Sequence, residues 1–397
     1  MLRLIVLLLP FLVTAIPKGE KVVVFVKGES GYFCIKIPVL LSTSNGTLVA
    51  FGEARYRSCS DFTATDLVYK RSLDGGATWS PLMVLFGNSS VTSTVIGNAA
   101  PVQLRSGRIL VPFCRNNLEV YLTFSDDNGV TWSHPELIPN LLTPKTTWVG
   151  TGPPGSIQLQ SGRRICHSRL QGRVVVPSYW SETKDDDGEF SYGVVFIRSV
   201  NRRSKMASSD DDGQTWYRGG AIEGAQFPNE CQAVEIAANQ GLATSINLAV
   251  YVNSRGLFLS RTQAWSTDGG LTFTKPTVIR DLVQTFTGNH TQAFIVPGCE
   301  GSTVRHPGTG YLFYSGPYDH EVQRYNMSLF ISTDNATTWK QHSIIFPGSA
   351  AYSSLQVLPD NSVGLLYETQ NKTDIIFTPD QFLFEIVVDQ TDLKRGF

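Results

Sequence analysis

The sequence is short of net charge, of metal-binding spacings and of long apolar runs, and each shortage removes a class of function. Its 33 basic residues stand against 34 acidic ones. They are interspersed apart from the acidic run Asp185, Asp186, Asp187. No basic face for nucleic acid is therefore present, and a small neutral or singly charged ligand fits better. The six cysteines Cys34, Cys59, Cys114, Cys166, Cys231 and Cys299 show no C-x-x-C spacing. Zinc is not expected, no motif asks for a cofactor, and the disulfide pairing is not legible. Past the amino terminus no segment approaches about 18 uninterrupted apolar residues, so stable membrane insertion is excluded as an expectation. Nothing reads as a linker or appended domain, and nothing sets the oligomeric state.

What is present begins with Met1-Leu2-Arg3, an apolar run from Leu4 to Val13 and the small-residue end Val13-Thr14-Ala15. This reads as a secretory signal peptide over residues 1–15, leaving 16–397 as one domain. Sequons at Asn45, Asn88, Asn289, Asn326, Asn335 and Asn371 agree with that route. The expected location is the secretory pathway, ending outside the cell or in the lysosome.

A motif Ser-x-Asp-x-Gly-x-Thr-aromatic recurs at Ser72 to Trp79, Ser125 to Trp132, Ser209 to Trp216 and Ser266 to Phe273. A fifth copy, Ser332 to Trp339, carries Ala336 in place of the glycine. The physics is that of a hairpin turn: Asp bonds backbone further along, Gly supplies positive φ, and the aromatic plugs the turn into its sheet. These residues shape turns and are given no catalytic role. β-rich runs interleave with them, beginning after Gly46, Gly107, Gly172, Gly310 and Asn361, with Ile246 to Val252 filling the gap. The pattern predicts an all-β fold, a six-bladed β-propeller with four-stranded antiparallel blades of roughly 60 residues each. Val22 to Lys27 and Phe382 to Asp389 are expected to share the last blade and close the ring. The 84 residues from Asp127 to Asp211, against 53 to 66 between the other boxes, predict a long loop around Tyr179 to Arg203.

Seven further segments follow one another in a fixed order. They are Cys34-Ile35-Lys36-Ile37-Pro38; Glu53-Ala54-Arg55 with Asp61 six residues on; Asn229-Glu230-Cys231-Gln232; Asn253-Ser254-Arg255; Arg324 shortly before the fifth box; Ala351-Tyr352-Ser353; and Leu366-Tyr367-Glu368. In this order they resemble the eukaryotic and bacterial exo-sialidases over essentially the whole mature length. The resemblance implies hydrolysis of terminal α-linked sialic acid from glycoconjugates with retention. It implies Tyr352 as nucleophile, Glu230 as its partner and Asp61 as acid/base, with Asp66 as a competitor of the wrong spacing. It implies a carboxylate clamp of Lys36, Arg255 and Arg324, where the family carries three arginines, with Glu368 steadying the first cation. Arg55 and Asn98 are placed near the sugar ring. Glu235 is left as an ordinary strand or supporting residue. Tyr179 and Trp180 either pack the sugar's substituents or plug the propeller.

The chemistry suits these residue types. Sialic acid carries a carboxylate on its anomeric carbon, and guanidinium groups grip a carboxylate bidentately, whereas lysine brings charge without the fork. The same carboxylate repels a carboxylate nucleophile but not a neutral phenol, whose ordinary pKa near ~10 requires an adjacent base. Sialidases with a tyrosine nucleophile are a known exception to the two-carboxylate rule. Two rival expectations are sialyl transfer, and a sialic-acid-binding propeller weakened in catalysis through Lys36.

Overall fold

The computed structural model describes residues 16–87, 93–160, 164–165, 168–169, 172–183, 190–199, 213–224, 228–237, 248–256, 260–283, 298–318, 324–371 and 378–397. The proposed signal peptide, Cys166, Asn88, Asn289, the acidic run at Asp185 and the first half of the third box lie outside these residues. Six antiparallel blades follow one another along the chain. The first is Cys34–Ser42, Leu48–Arg55, Thr65–Ser72 and Met83–Phe86 in sequential order. The fourth is Cys231–Ala237, Leu248–Ser254, Ser260–Ser266 and Thr277–Val283. The second and third repeat the order, each with its first strand split in two.

The last two blades are joined by the 18-residue strand Lys340–Val357, whose first half pairs with Tyr325–Ser332 and whose second half pairs with Val363–Gln370. Ring closure follows the sequence expectation. Val22–Val26 pairs antiparallel with Gln381–Val388, Val22 facing Phe384 and Val26 facing Gln381. The amino-terminal strand thereby caps an edge that would otherwise expose unpaired backbone.

The core is a set of seams between neighbouring blades. Along Leu48–Arg55 every residue is buried. Leu48 and Ala50 pack toward Phe382 and Phe384 of the last blade, whereas Val49 and Phe51 pack toward Ile109 and Phe113 of the second. Successive side chains leave opposite faces of a strand, so a blade sandwiched between two others reads as continuously apolar rather than alternating.

The boxes behave as turn motifs. In the first, Gly76 N and Asp74 Oδ1 both engage Ser72 Oγ at 2.8 Å, while Thr78 N donates to Asp74 Oδ1 at 2.9 Å. The same bonds recur at Asp127, Asp268 and Asp334. Ala336 takes the glycine position at φ 66.

One expectation is corrected. The extra length after the second box is mainly a hairpin of two ten-residue strands, Val174–Thr183 and Phe190–Ser199, paired from Val175 opposite Arg198 to Thr183 opposite Phe190. Both segments are rich in Val, Ile, Phe and Tyr, which favours a pleated sheet over a loop. Tyr179 and Trp180 are therefore strand residues.

Candidate active site

In the five blades that carry a box, it joins the third strand to the fourth. The opposite end, where a first strand begins, a second ends and a third begins, is left for other residues. Lys36 lies near the start of a first strand, Arg55 ends a second, and Asp61 sits between a second and a third. Glu230 immediately precedes Cys231–Ala237, Arg255 follows Leu248–Ser254, and Arg324 precedes Tyr325–Ser332. The hairpin phase of the repeat therefore gathers residues distant in sequence around one mouth of the propeller.

Two bulges aim the central pair. Register shifts between Lys36 and Val39, with Ile37 at φ 60. It shifts again between Ala350 and Ser353, around Tyr352. A positive φ at a β-branched residue is unfavourable and is held here by its surroundings. Both bulges are secured by one carboxylate: Glu368, fully buried, accepts from Ile37 N at 2.9 Å and Tyr352 N at 3.3 Å.

The Tyr352 hydroxyl donates to Glu230 Oε1. The other Glu230 oxygen takes Arg255 Nη1 at 2.8 Å, and the same nitrogen lies 3.4 Å from the Tyr352 oxygen. The Arg324 guanidinium stands 5.4 Å from the centre of the Tyr352 ring, and its Nη2 reaches Gly298 O at 3.3 Å. Burial, reinforced by the negative charge of Glu230, holds the Tyr352 phenol well above its ordinary pKa, so it is neutral at rest.

Arg55, 2 % exposed, spans two carboxylates, donating from Nη2 to Glu53 at 2.7 Å and from Nη1 to Asp61 at 2.7 Å. Asp61 is otherwise open, its side chain 62 % exposed. Partial burial works to raise its pKa. The Arg55 and Lys36 charges outweigh that and keep the carboxyl below the usual range. A disulfide between Cys34 and Cys59 ties the Asp61 segment to the strand carrying Lys36. Asp66, the competitor, is buried and holds the hydroxyls of Tyr32 and Tyr56 at 2.9 and 2.8 Å.

Lys36 departs from expectation. Among the described residues it makes neither a hydrogen bond nor an ion pair, and Glu368 serves backbone amides rather than the ammonium. Burial lowers the Lys36 pKa and the nearby Arg55 charge lowers it further, while Glu368 and Asp61 act at a distance in the other sense.

Strand alternation sends Tyr179 and Trp180 to opposite faces of the sheet. Tyr179 OH reaches Asn98 Oδ1 at 3.4 Å at the mouth, where burial and the charge of Glu230 raise its pKa. Trp180 points the other way, buried, with Arg218 stacked 4.9 Å from its ring. Glu235 is remote and accepts from Gln160 N at 2.7 Å.

Sequence reasoning gave no role to Glu53 or Glu300. Glu53 accepts from Asn98 N at 2.8 Å as well as from Arg55. Its position two residues before Arg55, on the same strand face, was a usable signal. Glu300, 1 % exposed, accepts from Ser353 N at 2.8 Å, and its Oε1 has no partner among the described residues. Burial pushes its pKa well up. Nothing in its local sequence marks it.

A profile of the BNR repeat-like domain matches residues 34–144 and 115–366. The chain belongs to this family, within its sialidase branch. It is 27% identical over 372 residues to a sialidase of Micromonospora viridifaciens, a match covering 86% of this chain and 51% of that protein. It is 25% identical over 389 residues to Sialidase-2 of Cricetulus griseus, covering 88% and 92%. The chain thus spans about half the length of the bacterial relative and nearly all of the hamster one. Among solved structures, the intramolecular trans-sialidase of Ruminococcus gnavus superposes with a TM-score of 0.69 at 15% identity, covering 90% of this chain and 96% of that one. A Hadza microbial sialidase gives 0.67 at 21%, covering 91% and 67%. These likenesses carry the fold.

Proposed function

We propose that the chain is an exo-sialidase that hydrolyses terminal α-linked sialic acid from glycoconjugates with net retention. The observation that carries this is the neutral Tyr352 phenol donating to Glu230, with two guanidinium groups beside it and Asp61 held open by Arg55. The substrate carboxylate is taken by Lys36, Arg255 and Arg324. Tyr352 oxygen attacks the anomeric carbon as its proton passes to Glu230, and Asp61, acting from its protonated form, gives a proton to the departing glycosidic oxygen. Water then attacks the same carbon, losing a proton to Asp61, while Glu230 returns its proton to Tyr352. Arg255, bonded to the glutamate and close to the phenol oxygen, offsets the charge that moves between them. Asn98 and Arg55 flank the ring.

Residues 1–15 are proposed to direct secretion. The Cys34–Cys59 disulfide supports an oxidising compartment, as does an exposed Asn45 within its sequon. Among the described residues no helix is long and apolar enough to cross a membrane.

The test is release of product from a fluorogenic α-sialoside by the secreted protein, beside Tyr352→Phe and Asp61→Ala. Turnover by the parent and a loss of at least about a hundredfold in both variants supports the reading. No turnover, with free sialic acid still bound, overturns it in favour of a sialic-acid-binding propeller.

A further inference from the structure

The mechanism accounts for the centre of the mouth but not for its rim beside Asp61. Phe62, the residue after Asp61, is 80 % exposed, the most exposed large apolar side chain among the described residues. It is not isolated. Its ring meets that of Trp148 edge to face, centroids 6.1 Å apart and planes at 74°. Phe62 belongs to the first blade and Trp148 to the first strand of the third, Thr146–Thr151, so the contact reaches across the second blade. Trp148 in turn shares a polar contact with Tyr179, whose hydroxyl lies within the fields of both Asp61 and Glu230. The side chains thus run Asp61, Phe62, Trp148, Tyr179 along the mouth.

We propose that Phe62 and Trp148 form the subsite for the sugar to which sialic acid is attached, the leaving group of the reaction. This rests on the sialidase reading. A proton delivered by Asp61 must reach the glycosidic oxygen, so the sugar bearing that oxygen lies one bond beyond it, on the rim side of Asp61. The rim there presents aromatic rings, whereas the guanidinium groups of Arg255 and Arg324 lie against Tyr352. A neutral hexose fits that chemistry, with its C–H face laid on an aromatic ring and its hydroxyls in water. A charged leaving group gains nothing from it. The two parts of the substrate are then read separately, the acid sugar by charge and the neutral sugar by apolar contact.

The experiment compares two substrates that share the sialic acid and differ in the leaving group, methyl α-sialoside and 3′-sialyllactose. For Phe62→Ala and Trp148→Ala, kcat/KM on sialyllactose should fall about tenfold, mostly through KM, while methyl sialoside stays within about twofold. Phe62→Tyr should restore the sialyllactose value. Equal losses on both substrates would mean that Phe62 merely holds the Asp61 segment, and no loss on either would mean that the rim is idle. Both results overturn the subsite. A parent that cleaves neither substrate overturns the sialidase reading itself, and the subsite falls with it.

Discussion

Replacing Lys36 by methionine should stabilise the protein while crippling it. The ammonium sits partly buried near the Arg55 and Arg324 charges, with no ion pair among the described residues. Methionine keeps an unbranched apolar stem of similar length, so packing is largely retained. Replacing buried charged groups by apolar side chains of similar volume is worth about 1–4 kcal/mol, and the half-buried Lys36 belongs at the low end of that range. That is a rise in Tm of about 1–5 °C for a chain of this size. The pH dependence supplies a sharper signature. The folded-state pKa lies below the ordinary lysine value of 10.5, so between those two the unfolded chain binds more protons than the folded one. Parent stability gains from raising the pH through that window, whereas the methionine variant lacks this gain. The Tm advantage of Lys36→Met, measured by scanning calorimetry, should therefore be largest at neutral pH and shrink toward pH 10. Sialic acid affinity should fall about 10–100-fold through loss of one charge-assisted contact. A variant less stable than the parent at neutral pH, or an advantage independent of pH, would refute the reasoning.

Three further outcomes follow from the same geometry. Because Arg55 holds the Asp61 pKa down, Arg55→Met should move the alkaline fall of kcat to higher pH; an unmoved profile, recorded with saturating substrate, counts against Asp61 as the acid. Glu300→Gln should keep near-parent kcat, since the amide oxygen can accept from Ser353 N as the carboxyl oxygen does. Glu300→Ala strands that buried N–H, costing about 1–3 kcal/mol of stability in urea melts and displacing the Tyr352 strand. A Cβ at Gly76 would stand 2.0 Å from Phe384, whereas one at Gly270 meets nothing nearer than 3.8 Å. Gly76→Ala should therefore cost about 3 kcal/mol or more and Gly270→Ala about 1 kcal/mol, the latter for its left-handed φ alone.

The blades were legible in the sequence because each turn repeats its own chemistry: Ser72, Asp74, Gly76 and Thr78 make bonds within eight residues, and so do their counterparts. Closure by Val22–Val26 was legible from an unpaired strand at each end. The extended hairpin at Tyr179 was not, since spacing reports length and not conformation; the alternation of Val, Tyr and Phe on both sides of the Asp185 run was the better guide. Within the site, Arg55 meets Asp61, while Glu230, Arg255, Arg324 and Glu368 gather around Tyr352. The bonds between them were another matter. Glu368 holding the amides of Ile37 and Tyr352 depends on two bulges, which are three-dimensional events. Glu300 acts through a single buried contact with Ser353, and long-range contacts of that kind leave no local trace.

The central claim is that Tyr352 carries the sialosyl group, and covalent trapping tests it most directly. A sialosyl fluoride with a second fluorine beside the anomeric carbon loads the enzyme through its reactive leaving group, and the added fluorine slows breakdown of the intermediate. Incubation should add one fluorosialosyl mass to the intact protein, and peptide fragmentation should place it on Tyr352 and remove it in Tyr352→Phe. An adduct on Asp61 or Glu230, or an enzyme that turns over sialosides yet never acquires the label, would contradict the account.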